Sequence, residues 1–203
     1  MTSPPPDSFS TSSSPLAAPR PIQISGICGS LKPGGTTRRA LILALEAARN
    51  AGAETRLLDL REFDLPFAES GFEVEKFPDV ARFNQLVRQS DGLIWATPEY
   101  HGSFSGALKN ALDLGSFEEY EGKMVALLGV AAGQIGAINA LSHLRTVARQ
   151  LHCWVLPAQL SIARAYNAFE ENGRLSDPKL AASMEELGAE MVKWARLHAA
   201  DSQ

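Results

Sequence analysis

One stretch, Gly29-Ser30-Leu31-Lys32-Pro33-Gly34-Gly35-Thr36-Thr37-Arg38, gathers hydroxyls, a cation and glycines between a branched apolar run and an amphipathic one. Where such a stretch ends a strand and opens a helix, unpaired backbone N–H groups and the helix dipole favour an anion. Ser30, Thr36 and Thr37 would donate to phosphate oxygens, Lys32 would supply charge, and Gly29, Gly34 and Gly35 would keep the backbone close. The Walker pattern fits at Gly29, Gly34 and Thr36 but fails where Gly35 replaces its lysine, which removes the main support for a nucleotide triphosphatase. The GxGxxG dinucleotide fingerprint is absent, which disfavours a Rossmann dehydrogenase. The competing reading is a polar turn with an N-cap.

A second stretch, Thr97-Pro98-Glu99-Tyr100-His101-Gly102-Ser103-Phe104-Ser105-Gly106, begins at a proline and carries an aromatic ring. Backbone donors and acceptors beside Tyr100 would suit a flat ring with a polar edge. Tyr100 and His101 also fit an ordinary turn. A third, Gly129-Val130-Ala131-Ala132-Gly133-Gln134-Ile135-Gly136, has small residues that would let backbone approach such a ring, with Gly133 and Gln134 as contacts; glycines easing a turn explain it equally well.

Short branched runs alternate with longer amphipathic segments along the chain, the pattern of successive βαβ units. Strands are expected at Ile22 to Cys28, Thr55 to Leu58, Gly92 to Thr97 (stopped by Pro98), Lys123 to Val130, and near Trp154. The first helix starts at an N-cap on Thr36 or Thr37, buries Leu41, Leu45 and Ala48, and ends at Asn50 and Gly52. Val80, Phe83 and Val87 mark a second, and Ser105 to Leu112 a third. Ile138, Leu141, Leu144, Ala148 and Leu151 trace the stripe of a fourth. Leu180, Met184, Leu187, Met191 and Trp194 mark the last, as a core face rather than a coiled-coil seam. The stretch from Arg61 to Phe77 is a long loop of the kind that borders sites. Five such strands make a doubly wound parallel sheet in a three-layer α/β/α domain, with ligands at the strands' carboxyl ends.

Composition narrows the function. The chain has 203 residues, 45% of them hydrophobic, enough for one domain with a core. A net charge of −4 argues against nucleic acid as a partner. The apolar run Met124 to Ala132 is broken by Gly129 and too short to span a membrane, so a soluble protein is expected. Cys28 and Cys153 form no disulfide framework, and with His143, His152 and His198 show no metal-ligand spacing, which favours a reducing, cytoplasmic setting without a metal. Residues 1–20, rich in Pro and Ser, read as a disordered tail ahead of a domain over 21–203; they lack the apolar core of a secretory signal, while a Ser-rich plastid-type leader is harder to set aside.

The first two stretches, read with Ala107-Leu108-Lys109-Asn110-Ala111-Leu112-Asp113, resemble the NAD(P)H-dependent FMN reductase family from about Ile22 to Ala195, through GSxRxxS in the first turn and PEYxxSxxGxLKNALD in the second. The resemblance implies a flavodoxin-like fold, FMN as cofactor with its phosphate in the first turn and its isoalloxazine against Pro98 to Gly102, NAD(P)H as co-substrate, and a homodimer or homotetramer. It implies hydride transfer to flavin and then a ping-pong transfer to flavin, quinone or a similar acceptor, with no protein acid, base or nucleophile needed. Lys109, Asn110 and Asp113 then fix the following helix at an oligomer interface. Two positions depart from the family: Lys32 stands where Arg is usual, losing the planar fork, and Gly35 stands where Ser is common. The rivals are a flavodoxin-like electron carrier without NAD(P)H turnover and a cofactor-free binding module on the same fold.

Overall fold

The computed structural model describes residues 20–69, 73 and 76–201. The expected disordered tail therefore lies outside the described residues except for Arg20, which is ion-paired with Asp91 at 2.5 Å. Part of the long loop also lies outside them.

Five parallel strands stand in the order β2-β1-β3-β5-β6: β1 (Gln23–Cys28), β2 (Glu54–Asp59), β3 (Gly92–Tyr100), β5 (Met124–Val130) and β6 (Trp154–Ile162). A two-residue strand, β4 (Ser103–Phe104), folds back antiparallel on the end of β3. Because β1 is flanked by β2 on one side and β3 on the other, the chain reverses its winding there, which opens a crevice at the carboxyl ends of β1 and β3. This is the flavodoxin-like order.

Alternation along the central strands feeds two cores. Leu93 and Trp95 of β3 and Val125 and Leu127 of β5 face α2 (Pro78–Arg88), α3 (Gly106–Asp113) and α5 (Ile138–Gln150). Ile94, Ala96, Ala126 and Leu128 face α1 (Thr36–Asn50) and α6 (Pro178–Asp201). A short helix, α4 (Phe117–Tyr120), is closed by a capping box between Ser116 and Glu119. The α2 stripe of Val80, Phe83 and Val87 is fully buried, as its spacing requires. Met184, Leu187 and Met191 of α6 pack into the core against α1, so the coiled-coil alternative falls. Trp194 at the end of that stripe is half-exposed, and so is Ile138 at the start of the α5 stripe.

Two boundaries differ from expectation. The N-cap of α1 is Gly35, with Thr36 and Thr37 inside the first turn, and no side chain caps it. Nor does β3 stop at Pro98, which pairs with Val130 of β5. Ala96 accepts from Gly29 N–H, so by alternation the missing N–H of Pro98 points to the β1 side, where β1 has already ended and no ladder bond is lost.

Among the described residues no helix is long and apolar enough to cross a membrane.

Candidate active site

The crevice contains a cavity of about 410 Å³, a size typical of small-molecule sites. The turn after β1 forms one end. Gly35 donates its N–H to Lys32 O at 3.1 Å, closing a tight turn, and Ser30 Oγ accepts from Lys32 N–H at 3.3 Å. With no capping side chain and no acidic residue in its first turn, α1 presents free N–H groups and an unbalanced positive dipole end. Ser30, Lys32, Thr36 and Thr37 all line the cavity, joined by Gly34, Gly35 and Arg39. A side chain on Gly35 would bring its Cβ to 3.0 Å from Lys32 O and 3.4 Å from Ser30 Oγ, so this turn leaves little room for the serine the family usually has.

Gly29 has a different role. It does not line the cavity but is bonded through its N–H to Ala96 O at 2.8 Å, and a Cβ there would sit 2.8 Å from Leu108 Cβ and 2.9 Å from Ala96 O. Only glycine permits that approach of turn, strand and helix.

The end of β3 lines the other side with Pro98, Glu99 and Tyr100. It is held by its own side chains. Thr97 Oγ1 donates to Pro98 O at 2.8 Å and accepts from Ser105 N–H at 3.0 Å; Ser105 Oγ donates to Gly29 O at 2.5 Å and accepts from Leu108 N–H at 3.2 Å, capping α3. Tyr100 and Ser103 pair across a two-residue hairpin whose central residues, His101 and Gly102, have φ of 50° and 80°, as a type I′ turn demands. His101 and Gly102 therefore serve the hairpin and do not line the cavity. Glu99 reaches across to α5, its carboxylate accepting from Ala140 N–H at 3.1 Å, and supplies the acidic group which the α5 N-cap, Ala137, lacks.

From the third turn, Val130, Ala131 and Ala132 line the cavity, whereas Gly133 and Gln134 do not. Gly133 O accepts from Arg164 N–H at 3.0 Å and Gln134 Oε1 from the Arg164 guanidinium at 3.4 Å, tying this turn to the segment after β6. That segment completes the wall with Ala165, Tyr166 and Phe169, which sequence reasoning missed although two aromatics directly after the last strand were a signal. Lys32 Nζ lies 5.6 Å from the Tyr166 ring centroid, a cation–π contact across the cavity.

Supporting groups surround the site. Buried Asp59, at the end of β2, holds Arg38 at 2.9 Å and Arg61 at 2.6 Å. Hydrogen bonds from Arg61, offset in part by burial and reinforced by Arg38, keep its carboxyl below the ordinary range. Asn110 staples the long loop within the chain, accepting from Ala68 N–H at 3.0 Å and donating to Pro66 O at 2.9 Å. Lys109 and Asp113 form an exposed i,i+4 pair at 2.6 Å. His143 bonds Ser103 and His152 bonds Glu121; among the described residues no His, Cys, Asp or Glu group could hold a metal.

The donor set is polarised. Hydroxyls, cations and helix amides converge at one end; apolar small residues, backbone and the half-exposed ring of Tyr100 form the other. That fits a group with an anionic tail and a flat, largely apolar ring with a polar edge, as FMN has.

Comparison with known proteins agrees. The chain is 34% identical over 180 residues to an NAD(P)H-dependent FMN reductase of Pseudomonas aeruginosa, covering 86% of this chain and 96% of that one. It is 35% identical over 138 residues to an NADPH azoreductase of a Bacillus species, covering 68% and 78%. Among solved structures, the fold is similar to FerB, an NAD(P)H:(acceptor) oxidoreductase of Paracoccus denitrificans, with a TM-score of 0.74, 23% identity, and 87% and 98% of the two chains covered. Residues 22–167 match the family described as NADPH-dependent FMN reductase. On this fold, this site and that match, the chain belongs to the NADPH-dependent FMN reductase family of FMN-dependent oxidoreductases supplied by NAD(P)H.

Proposed function

We propose that the first turn holds the FMN phosphate through Ser30, Lys32, Thr36, Thr37 and the α1 amides, and that the isoalloxazine lies against Pro98 to Tyr100 and Ala131 to Ala132. The observation carrying this reading is the uncapped α1 N-terminus opening onto the same cavity as the β3 hairpin. When bound, FMN supplies the electron chemistry, taking a hydride and releasing electrons singly or in pairs. The protein's residues bind and orient. Thr97 and Ser105 fix the backbone that faces the ring, Glu99 anchors that backbone to α5, and Tyr100 and Tyr166 limit water at the two rims. Hydride transfer to the ring needs no acid, base or nucleophile from the protein.

NAD(P)H and the acceptor use one open face in turn, which gives ping-pong kinetics with flavin, quinone or a similar acceptor. Exposed Ile135 and Ile138 support a homodimer or homotetramer, and the free cysteines Cys28 and Cys153 suit a reducing cytoplasm. The test is anaerobic addition of NADPH or NADH to the flavin-loaded protein, followed by a quinone. Bleaching of the flavin band near ~450 nm and its return with quinone alone support the reading. A band that neither nucleotide bleaches supports an electron carrier instead, and intersecting double-reciprocal lines overturn the ping-pong order.

A further inference from the structure

Arg38 and Arg39 are adjacent in sequence and differ completely in environment. Arg38 is drawn to buried Asp59 on the β2 side. Arg39 follows Thr36 by one helical turn, so it shares the face of α1 that looks into the cavity, and it lines that cavity. Its exposed guanidinium has no hydrogen-bond or ion-pair partner among the described residues. Lys32, in the turn before α1, directs its ammonium over Tyr166. The cavity's polar end thus holds two cations of different kinds, a point charge turned toward an aromatic wall and a planar fork without a partner among the described residues.

We propose that Arg39 is a phosphate-binding residue of this chain, supplying the bidentate guanidinium contact that Lys32 cannot make. The inference rests on the reading that places the FMN phosphate in the first turn. It also gives Gly35 a compensation: the hydroxyl which the tight turn excludes is replaced by a cation four residues along the same helix. Phosphate held between Lys32 and Arg39 is neutralised from two sides, with the α1 amides beneath it.

The experiment compares FMN with riboflavin, which lacks only the phosphate, by quenching of flavin fluorescence on the full chain freed of flavin. The variants are Arg39→Met, Arg39→Lys and Lys32→Met, each checked by thermal melting. The expected result is that Arg39→Met weakens FMN binding by about ten- to hundredfold while riboflavin binding is unchanged, and that Arg39→Lys recovers only part. If Arg39→Met leaves FMN binding as in the parent while Lys32→Met weakens it, the role of Arg39 is overturned and the first-turn reading stands. If Arg39→Met raises only the KM for NADPH, Arg39 belongs to the nucleotide and the proposal is again overturned. A parent protein that binds FMN and riboflavin equally would overturn the first-turn reading itself and the role of Arg39 with it.

Discussion

Around the end of β3 and the hairpin that follows it, polar side chains are bonded to the protein: Thr97 to Pro98 and Ser105, Ser105 to Gly29 and Leu108, Glu99 to the start of α5. Across the turn after β1 and the first turn of α1, Lys32, Thr36 and Arg39 line the same cavity with no side-chain hydrogen bond or ion pair among the described residues. The difference separates two ways of building a binding wall. One turn is rigid and presents backbone; the other leaves donors and charge free for an anion. Substitutions in the rigid turn should cost stability and binding together, and substitutions in the free turn should cost binding alone.

The largest expected effect tests the apparent exception, the committed arginine of α1. Asp59 has a lowered folded pKa, so its stabilisation is complete above the ordinary carboxylate value near ~3.9 and is lost as pH falls through the lower folded one. Asp59→Asn should destabilise the protein by about 2 kcal/mol at neutral pH, less than a fully buried pair because both guanidinium side chains are about a third exposed. Urea denaturation from pH 7 to 3 should show the variant's deficit shrinking toward the acid end. A constant deficit would remove Asp59's charge from the account.

Ser105→Ala comes next. It removes the α3 cap and the tether to Gly29, so unfolding free energy should fall by about 1.5 kcal/mol, with weaker FMN binding in parallel. Unchanged stability with weakened binding would blur the contrast between the turns. Lys32→Met should weaken FMN binding by about tenfold, or ~1.4 kcal/mol, and, unlike Ser105→Ala, leave the flavin-free melting temperature unmoved. Glu99→Gln should cost least, about 0.5 kcal/mol, because it removes a charge from the α5 dipole and keeps an acceptor for Ala140; thermal melts at low and high salt would show the difference fading with salt.

Much of this was legible in the sequence because it is local. The buried stripe of α2, the strand–turn–helix at Ser30 to Thr37, and the cavity-lining run from Pro98 to Tyr100 each depend on residues within a few positions. What was not legible depends on residues far apart. Glu99 finds its partner at Ala140, Gly29 is glycine because of Leu108 and Ala96, and Tyr166 and Phe169 join the wall only because β6 ends beside β5. Pro98 ended a strand by local rule, yet continues one because its unpaired side faces the place where β1 has stopped. Arg39 was hidden by Arg38: only the fold shows which of two neighbouring cations is occupied.

The central claim is that an anion-binding first turn holds the phosphate of FMN. The most direct measurement is a phosphorus NMR titration of the flavin-loaded protein from pH 5 to 8, against free FMN. A free phosphate monoester takes up its second proton near pH ~6. Phosphate held by Lys32, the hydroxyls and the α1 amides should stay dianionic, its resonance displaced from that of free FMN and flat across the range. A bound resonance that moves with pH as free FMN does would put the phosphate in solvent and contradict the account.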